Sequence, residues 1–197
     1  MNIHPIETKS YEILNKLVDL NGIPPLSREI VSRIIHSTGD ITLKDDIVST
    51  EEAVESGIRA IKNKYAMVVD SMMLKASITK YESNCFISSA EPNESGFPTR
   101  SAQGMQLGLK QFPKHVIIVV GTAPTALEAA LDLIERGECE PELIIAMPVG
   151  FVGAQEAKEH LRALTKVKSI SNSSARGGAA MAGAAMNAIL RLSEKRT

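Results

Sequence analysis

Residues 115–137 read HVIIVVGTAPTALEAALDLIERG. The run HVIIVV (115–120) shows no alternation of apolar and polar residues, so it predicts a strand covered on both faces. Gly121 ends the run, and Pro124 suits the first position of a helix. From there apolar residues recur at three- and four-residue intervals, as a helix packed on one side requires. A buried strand turning tightly into a helix is half of a parallel βαβ unit, and the rest of the chain repeats it. Strands are predicted at AMVVD (66–70), NCFIS (84–88) and ELIIAM (142–147), with a short one at VKSI (167–170). Helices are predicted at TRSAQGMQLGLKQF (99–112), GAQEAKEHLRALT (153–165) and GGAAMAGAAMNAILRL (177–192).

Upstream the pattern is helical. IETKSYEILNKLVDL (6–20) has helical spacing, and NGIPPLS (21–27) breaks it with Gly and two prolines. Ser27 then suits the cap of a second helix whose buried stripe is Ile30, Val31, Ile34 and Ile35. Ser49 and Glu52 stand at capping-box spacing ahead of a third. The expected fold is therefore α/β, a single three-layer domain over residues 1–197. A mainly parallel sheet is flanked by helices and preceded by an N-terminal helical segment.

Composition narrows the function. Apolar residues make up 44% and charged residues 23%, with 22 Lys plus Arg against 23 Asp plus Glu. That balance offers no field for nucleic acid or an anionic membrane. The absence of Trp and the presence of only three Tyr and four Phe leave little with which to stack bases. No apolar run is long enough to span a bilayer, and the opening MNIHPIETKSYE lacks a signal-peptide pattern. Cys85 and Cys139 have no CxxC partner and read as reduced structural thiols, which fits a cytoplasmic protein.

Three strand ends are Gly-rich or polar: VVGTAPTAL (119–127), AMPVGFVGAQEAKE (146–159) and SNSSARGGAAMAG (171–183). Such loops at the carboxyl edge of a parallel sheet present free backbone N–H groups at helix N-termini, which suits an anionic ligand. Tight turns also need Gly for structural reasons alone. Phosphate-loop and dinucleotide motifs are absent. His4, His36, His115 and His160 have no metal-ligand spacing, and GxSxG is missing. Arg100, just inside a helix start capped by Thr99, opposes the helix dipole. An acidic ligand held by its guanidinium would explain it; so would plain solvation. His36, in RIIHSTGD (33–40), falls in the last turn of its helix, with Gly39 as the terminator. A helix C-terminus favours the imidazolium by up to ~2 kcal/mol, which would hold the ring cationic near neutrality. The final helix carries rows of small residues (Gly178, Ala182 and Ala179, Gly183) that suit either interior packing or a dimer seam.

Taken together, IETKS (6–10), RIIHSTGD, TRSAQGM (99–105), VGTAPTAL (120–127), MPVGFVGAQEAKE (147–159) and RGGAAMAGAAMNA (176–188) resemble the precorrin-8X methylmutase family of cobalamin biosynthesis. The cobalt-precorrin-8 methylmutases belong to that family. The resemblance implies an isomerase that moves a methyl group from C-11 to C-12 of a corrinoid macrocycle without an organic cofactor or a protein-bound metal. It also implies a homodimer with the corrinoid pocket near the subunit interface. His36 matches the catalytic histidine; Ser10, Thr79, Arg100 and Ser101 match substrate-contacting positions. Gly121, Thr122, Gly153, Gly177 and Gly178 fall in the loops expected to hold the substrate's carboxylates. Two positions depart from the family pattern: Thr122 replaces a common Asn, and Ala179 replaces the Ser of the glycine loop. A non-catalytic corrinoid carrier and, more distantly, a nucleotide-binding α/β protein remain as alternatives at this point.

Overall fold

The structure, a computed structural model, describes residues 4–91 and 97–195. Met1–Ile3 of the opening segment lie outside the described residues. Helices α1 (Pro5–Leu17) and α2 (Pro25–Thr38) come first, then a two-residue strand β1 (Ile47–Val48) and α3 (Glu51–Lys62). The alternating part follows as β2 (Ala66–Val69), α4 (Met72–Ser77), α5 (Arg100–Gln111), β3 (Lys114–Val120), α6 (Pro124–Glu135), β4 (Glu140–Ala146), α7 (Ala154–Ala163), β5 (Ser169–Asn172) and α8 (Ala179–Lys195). The sheet order is β1-β5-β4-β3-β2; all neighbours are parallel except β1 against β5. The expected α/β architecture is the one observed.

Why the strands read as unbroken apolar runs is visible in the two cores. Met67, Val69, Ile117, Val119, Leu143 and Ile145 join a cluster with α2, α3 and α8. Val68, Val116, Ile118, Val120, Ile144 and Ala146 join another with α5, α6 and α7. Side chains alternate across the sheet, but both faces are covered, so both sets must be apolar. The small residues of α8 serve interior packing: Ala182, Ala185 and Met186 are fully buried, and a Cβ on Gly183 would lie 2.2 Å from Ser77 Oγ.

The structure departs from the sequence reading in four places. NCFIS is not a strand: only Asn84 bridges β2, at Val68, and Ile87–Ser89 form a 3-10 turn. Gly104 and Gly108 draw the segment onto α5; a Cβ at Gly104 would sit 2.9 Å from the Ile87 amide, and one at Gly108 2.9 Å from Phe86. Ser27 does not cap α2, because Pro25 presets the first helical φ and starts the helix three residues earlier, with Pro24 at the cap position. The α2 amides of Leu26 and Ser27 donate instead to the Glu51 carboxylate of α3. The cap of α3 is Thr50, accepting from the Ala53 amide, rather than Ser49. The last strand runs two residues further than VKSI predicted, to Asn172, because β1 pairs with its end.

Candidate active site

Gly39 closes α2 with a φ of 69° and donates its amide to the Ile35 carbonyl. The hydroxyls of Ser37 and Thr38 donate to the Ile34 carbonyl, each at 2.9 Å. The Ile34 and Ile35 carbonyls thus have their own partners, and the half-buried His36 faces α1. Its Nδ1 lies 3.0 Å from Ser10 Oγ. Its ring stacks on Tyr11 with centroids 4.6 Å apart and planes inclined by 13°. Consecutive residues of α1 therefore fix both the edge and the face of the imidazole. Its Nε2 makes no hydrogen bond among the described residues.

Charges surround this stack. Arg33 Nη1 meets Glu7 at 2.7 Å and the Tyr11 hydroxyl at 3.3 Å. Arg191 of α8 lies over the Tyr11 ring and 3.6 Å from Glu7. The result corrects the expectation of a cationic imidazole. Burial and then the Arg33 guanidinium push the His36 pKa below 6.5, with Arg191 adding to the effect and Glu7 opposing it. A lowered pKa favours the neutral ring in the free protein. When Nδ1 accepts the Ser10 proton, the ring's own proton sits on Nε2, which is then a donor.

The second group of expected residues lines the carboxyl edge of the sheet. Arg100 opens α5, capped by Thr99, whose hydroxyl also meets Thr125 of α6 at 2.7 Å. The exposed Arg100 guanidinium donates only to the Ile87 carbonyl, at 3.2 Å, among the described residues. Ser101 follows it, half-buried. A Cβ on Gly153 would contact Pro124 at 3.7 Å, and one on Gly121 would meet Ala179 at 3.0 Å, so loops and helix starts are contiguous. Gly177 is demanded sterically, since its Cβ would lie 2.2 Å from the Met147 carbonyl oxygen. Gly178, with a φ of 122°, donates its amide to that same carbonyl at 2.8 Å.

One residue changes the reading of the loop after β3. Asp70, only 2% exposed, accepts from the amides of Gly121, Thr122 and Ala123 and from the Thr122 hydroxyl, at 2.7–3.2 Å. The donors expected to face a ligand there are already occupied by the protein's own carboxylate. Thr79 stands apart, its amide and hydroxyl both donating to Asn187 Oδ1 of α8. Asn187 precedes Arg191, which lies over Tyr11, by about one helical turn. The two groups are tied together by Arg176, which pairs with Asp40 at 2.9 Å just beyond the end of α2.

Several residues that organise this region were not legible in the sequence. Tyr11 lay beside Ser10 without any motif of its own. The sequence carries no sign that Asp70, Asp46 and Lys158 are buried. Lys158 is fully buried, and Asp46 is nearly so. A cleft of about 610 Å³ opens between α1, α2 and the end of α8, with Tyr11, Arg28, Glu29 and Arg191 in its wall. His36 and the edge residues do not line it.

The chain is similar to known proteins along nearly its whole length. Residues 5–192 match the family described as CbiC, precorrin-8X methylmutase. The cobalt-precorrin-8 methylmutase of Methanocaldococcus jannaschii is 34% identical over 194 residues, covering 94% of this chain and 91% of the relative. The precorrin-8X methylmutase of Pseudomonas aeruginosa is 33% identical, covering 93% of each. The crystal structure of precorrin-8x methyl mutase from Thermus thermophilus superposes with a TM-score of 0.87 at 29% identity, over 97% of this chain and 96% of that one.

Proposed function

This chain belongs to the precorrin-8X methylmutase family, and on that premise we propose that it moves the C-11 methyl group of precorrin-8 or cobalt-precorrin-8 to C-12. The chain is an isomerase of cobalamin biosynthesis, and the products are hydrogenobyrinate or cobyrinate. The shift is a suprafacial 1,5-sigmatropic migration. Its cyclic six-electron transition state is thermally allowed, so no nucleophile or redox partner takes part. His36 is the proposed catalytic residue. It donates a hydrogen bond or a proton from Nε2 to the ring nitrogen beside the migrating centre and draws electron density from the conjugated system.

The observation that carries the reading is the imidazole held by Ser10 at 3.0 Å and by Tyr11 face to face, with Nε2 left unpartnered. The neutral ring of the free protein is a donor in this tautomer already. A substrate bearing several carboxylates offsets the field of Arg33 and Arg191 and raises the His36 pKa as it binds, which favours full proton transfer. General acid help of this kind contributes on the order of 10²–10⁴-fold, and gripping the macrocycle in a reactive shape contributes the rest. Arg100, Ser101 and Thr79, with the loops at Gly153, Gly177 and Gly178, hold the acidic side chains. Gly121 and Thr122 shape the adjoining wall, fixed by Asp70. The working form is a homodimer in the cytoplasm. Apolar side chains that stand in solvent on one chain support it, with Phe151 fully exposed and Val152 89% exposed.

Anaerobic incubation with metal-free and cobalt-loaded precorrin-8, followed by absorbance, tests the function. Catalytic amounts of protein should convert the chromophore progressively through many turnovers. A change that saturates at one corrinoid per site would make the protein a carrier and overturn the assignment.

A further inference from the structure

The side chain of Lys158 lies on α7, and none of it reaches solvent. Its Nζ donates to four acceptors: the carbonyls of Pro148 (3.2 Å), Ser174 (2.5 Å) and Arg176 (3.0 Å), and Asn172 Oδ1 (3.0 Å). Asn172 in turn donates from Nδ2 to Asp46 and to the Arg176 carbonyl. Asp46 accepts from the amides of Ser173 and Ser174 and from the Ser174 hydroxyl. An ammonium removed from water is costly unless its protons are satisfied, and here three of its partners are main-chain carbonyls of two separate loops.

We propose that Lys158 is the positioning residue of the carboxyl edge: its ammonium clasps the loops after β4 and β5 and fixes how they meet the corrinoid's acidic side chains. The inference rests on assigning those loops to corrinoid binding. Its geometry follows from the peptide unit. A planar trans peptide directs its N–H opposite to its C=O, so carbonyls drawn toward Nζ turn the amides of Val149, Ala175 and Gly177 away from it. None of these three amides makes a hydrogen bond among the described residues. The clasp therefore leaves three oriented donors at the substrate edge, a pattern suited to carboxylates. Without the ammonium, both loops would face a buried set of carbonyls with no donor between them.

The clasp also has a pH signature. Burial lowers the Lys158 pKa to about 8, with Arg162 of its own helix adding to the effect and Asp46 opposing it. Arg176, paired with Asp40 and Asp46, is the other charge on this network. Above that pH the amine offers two protons to four acceptors, and the loops loosen.

The experiment measures KM and kcat for cobalt-precorrin-8 from pH 6.5 to 9.5 in the wild type, Lys158→Met and Asp46→Asn, with corrinoid Kd by absorbance titration in parallel. Lys158→Met should raise KM and Kd about ten- to a hundredfold, with kcat changed less than about threefold. Wild-type KM should climb above pH 8, and Asp46→Asn, which removes the charge that sustains the ammonium, should move that climb to lower pH. Lys158→Met should lack the climb altogether. If Lys158→Met does not fold, the shift in Asp46→Asn carries the test. An unchanged KM in Lys158→Met, or an unmoved climb in Asp46→Asn, overturns the positioning role. A wild type that never turns over would strike the assigned function instead, and the Kd values would still decide on the clasp.

Discussion

Three neighbours set the acid–base behaviour of His36. Ser10 fixes which nitrogen is free, Tyr11 fixes the ring plane, and burial followed by Arg33 lowers the pKa. Position at a helix end alone predicts a cation; the observed surroundings favour a neutral ring, because burial and a guanidinium oppose the dipole. The chain's own NMR titration should give His36 a pKa below 6.5. Arg33→Met should raise it, and so should adding a polycarboxylate corrinoid. A value above 6.5 with Arg33 in place would contradict the account. The sign for stability follows: the unfolded chain takes up this proton first as pH falls below 6.5, so the group's contribution is full above that pH and lost below it. The histidine was legible through the family resemblance of RIIHSTGD, since a helix end marked by Gly39 suits a purely structural histidine as well. Its charge state was not legible, because Arg33, Glu7 and Arg191 meet only in the fold.

At the level of elements, the sheet was legible because both of its faces are buried and its strands are written as continuous apolar runs. NCFIS carries the same local signal, yet it lies against the glycines of α5 and touches β2 at one residue. Local composition cannot reveal a competing surface supplied by a helix that comes later in the chain. Helix starts were legible where the cap is local, as at Thr99, and not where it arrives from elsewhere, as Glu51 does for α2. The loops of the carboxyl edge were found by their glycines, but the residues that tie them, Asp70 and Lys158, come from other elements. Gly177→Ala tests how tightly that edge is built. Its Cβ would collide with the Met147 and Pro148 carbonyl oxygens at 2.2 and 2.7 Å, at a cost of about 1–3 kcal/mol and a fall in Tm of roughly 5 °C. Gly22→Ala, with nothing within 4 Å, is the control and should leave Tm within about 2 °C. Equal effects would mean that the edge is looser than drawn.

Across the whole molecule, α8 joins the two parts of the proposed site. Its N-terminal end abuts Gly121 at the sheet edge, its middle holds Thr79 through Asn187, and its later turns carry Arg191 to the Tyr11–His36 stack. Arg176 and Asp40 close the same circuit outside the helix. Among the described residues no helix is long and apolar enough to cross a membrane. Light scattering should return twice the 21.2 kDa chain mass; a monomer at working concentration would remove the proposed dimer. The account nevertheless turns on one proton donor, and His36→Asn tests it most directly, since Asn keeps a polar neighbour for Ser10 but cannot donate a proton as an acid. Single-turnover absorbance with cobalt-precorrin-8 should show the methyl shift slowed about 10²–10⁴-fold, while corrinoid Kd stays within about threefold of wild type. A shift at near-normal rate in His36→Asn would contradict the account.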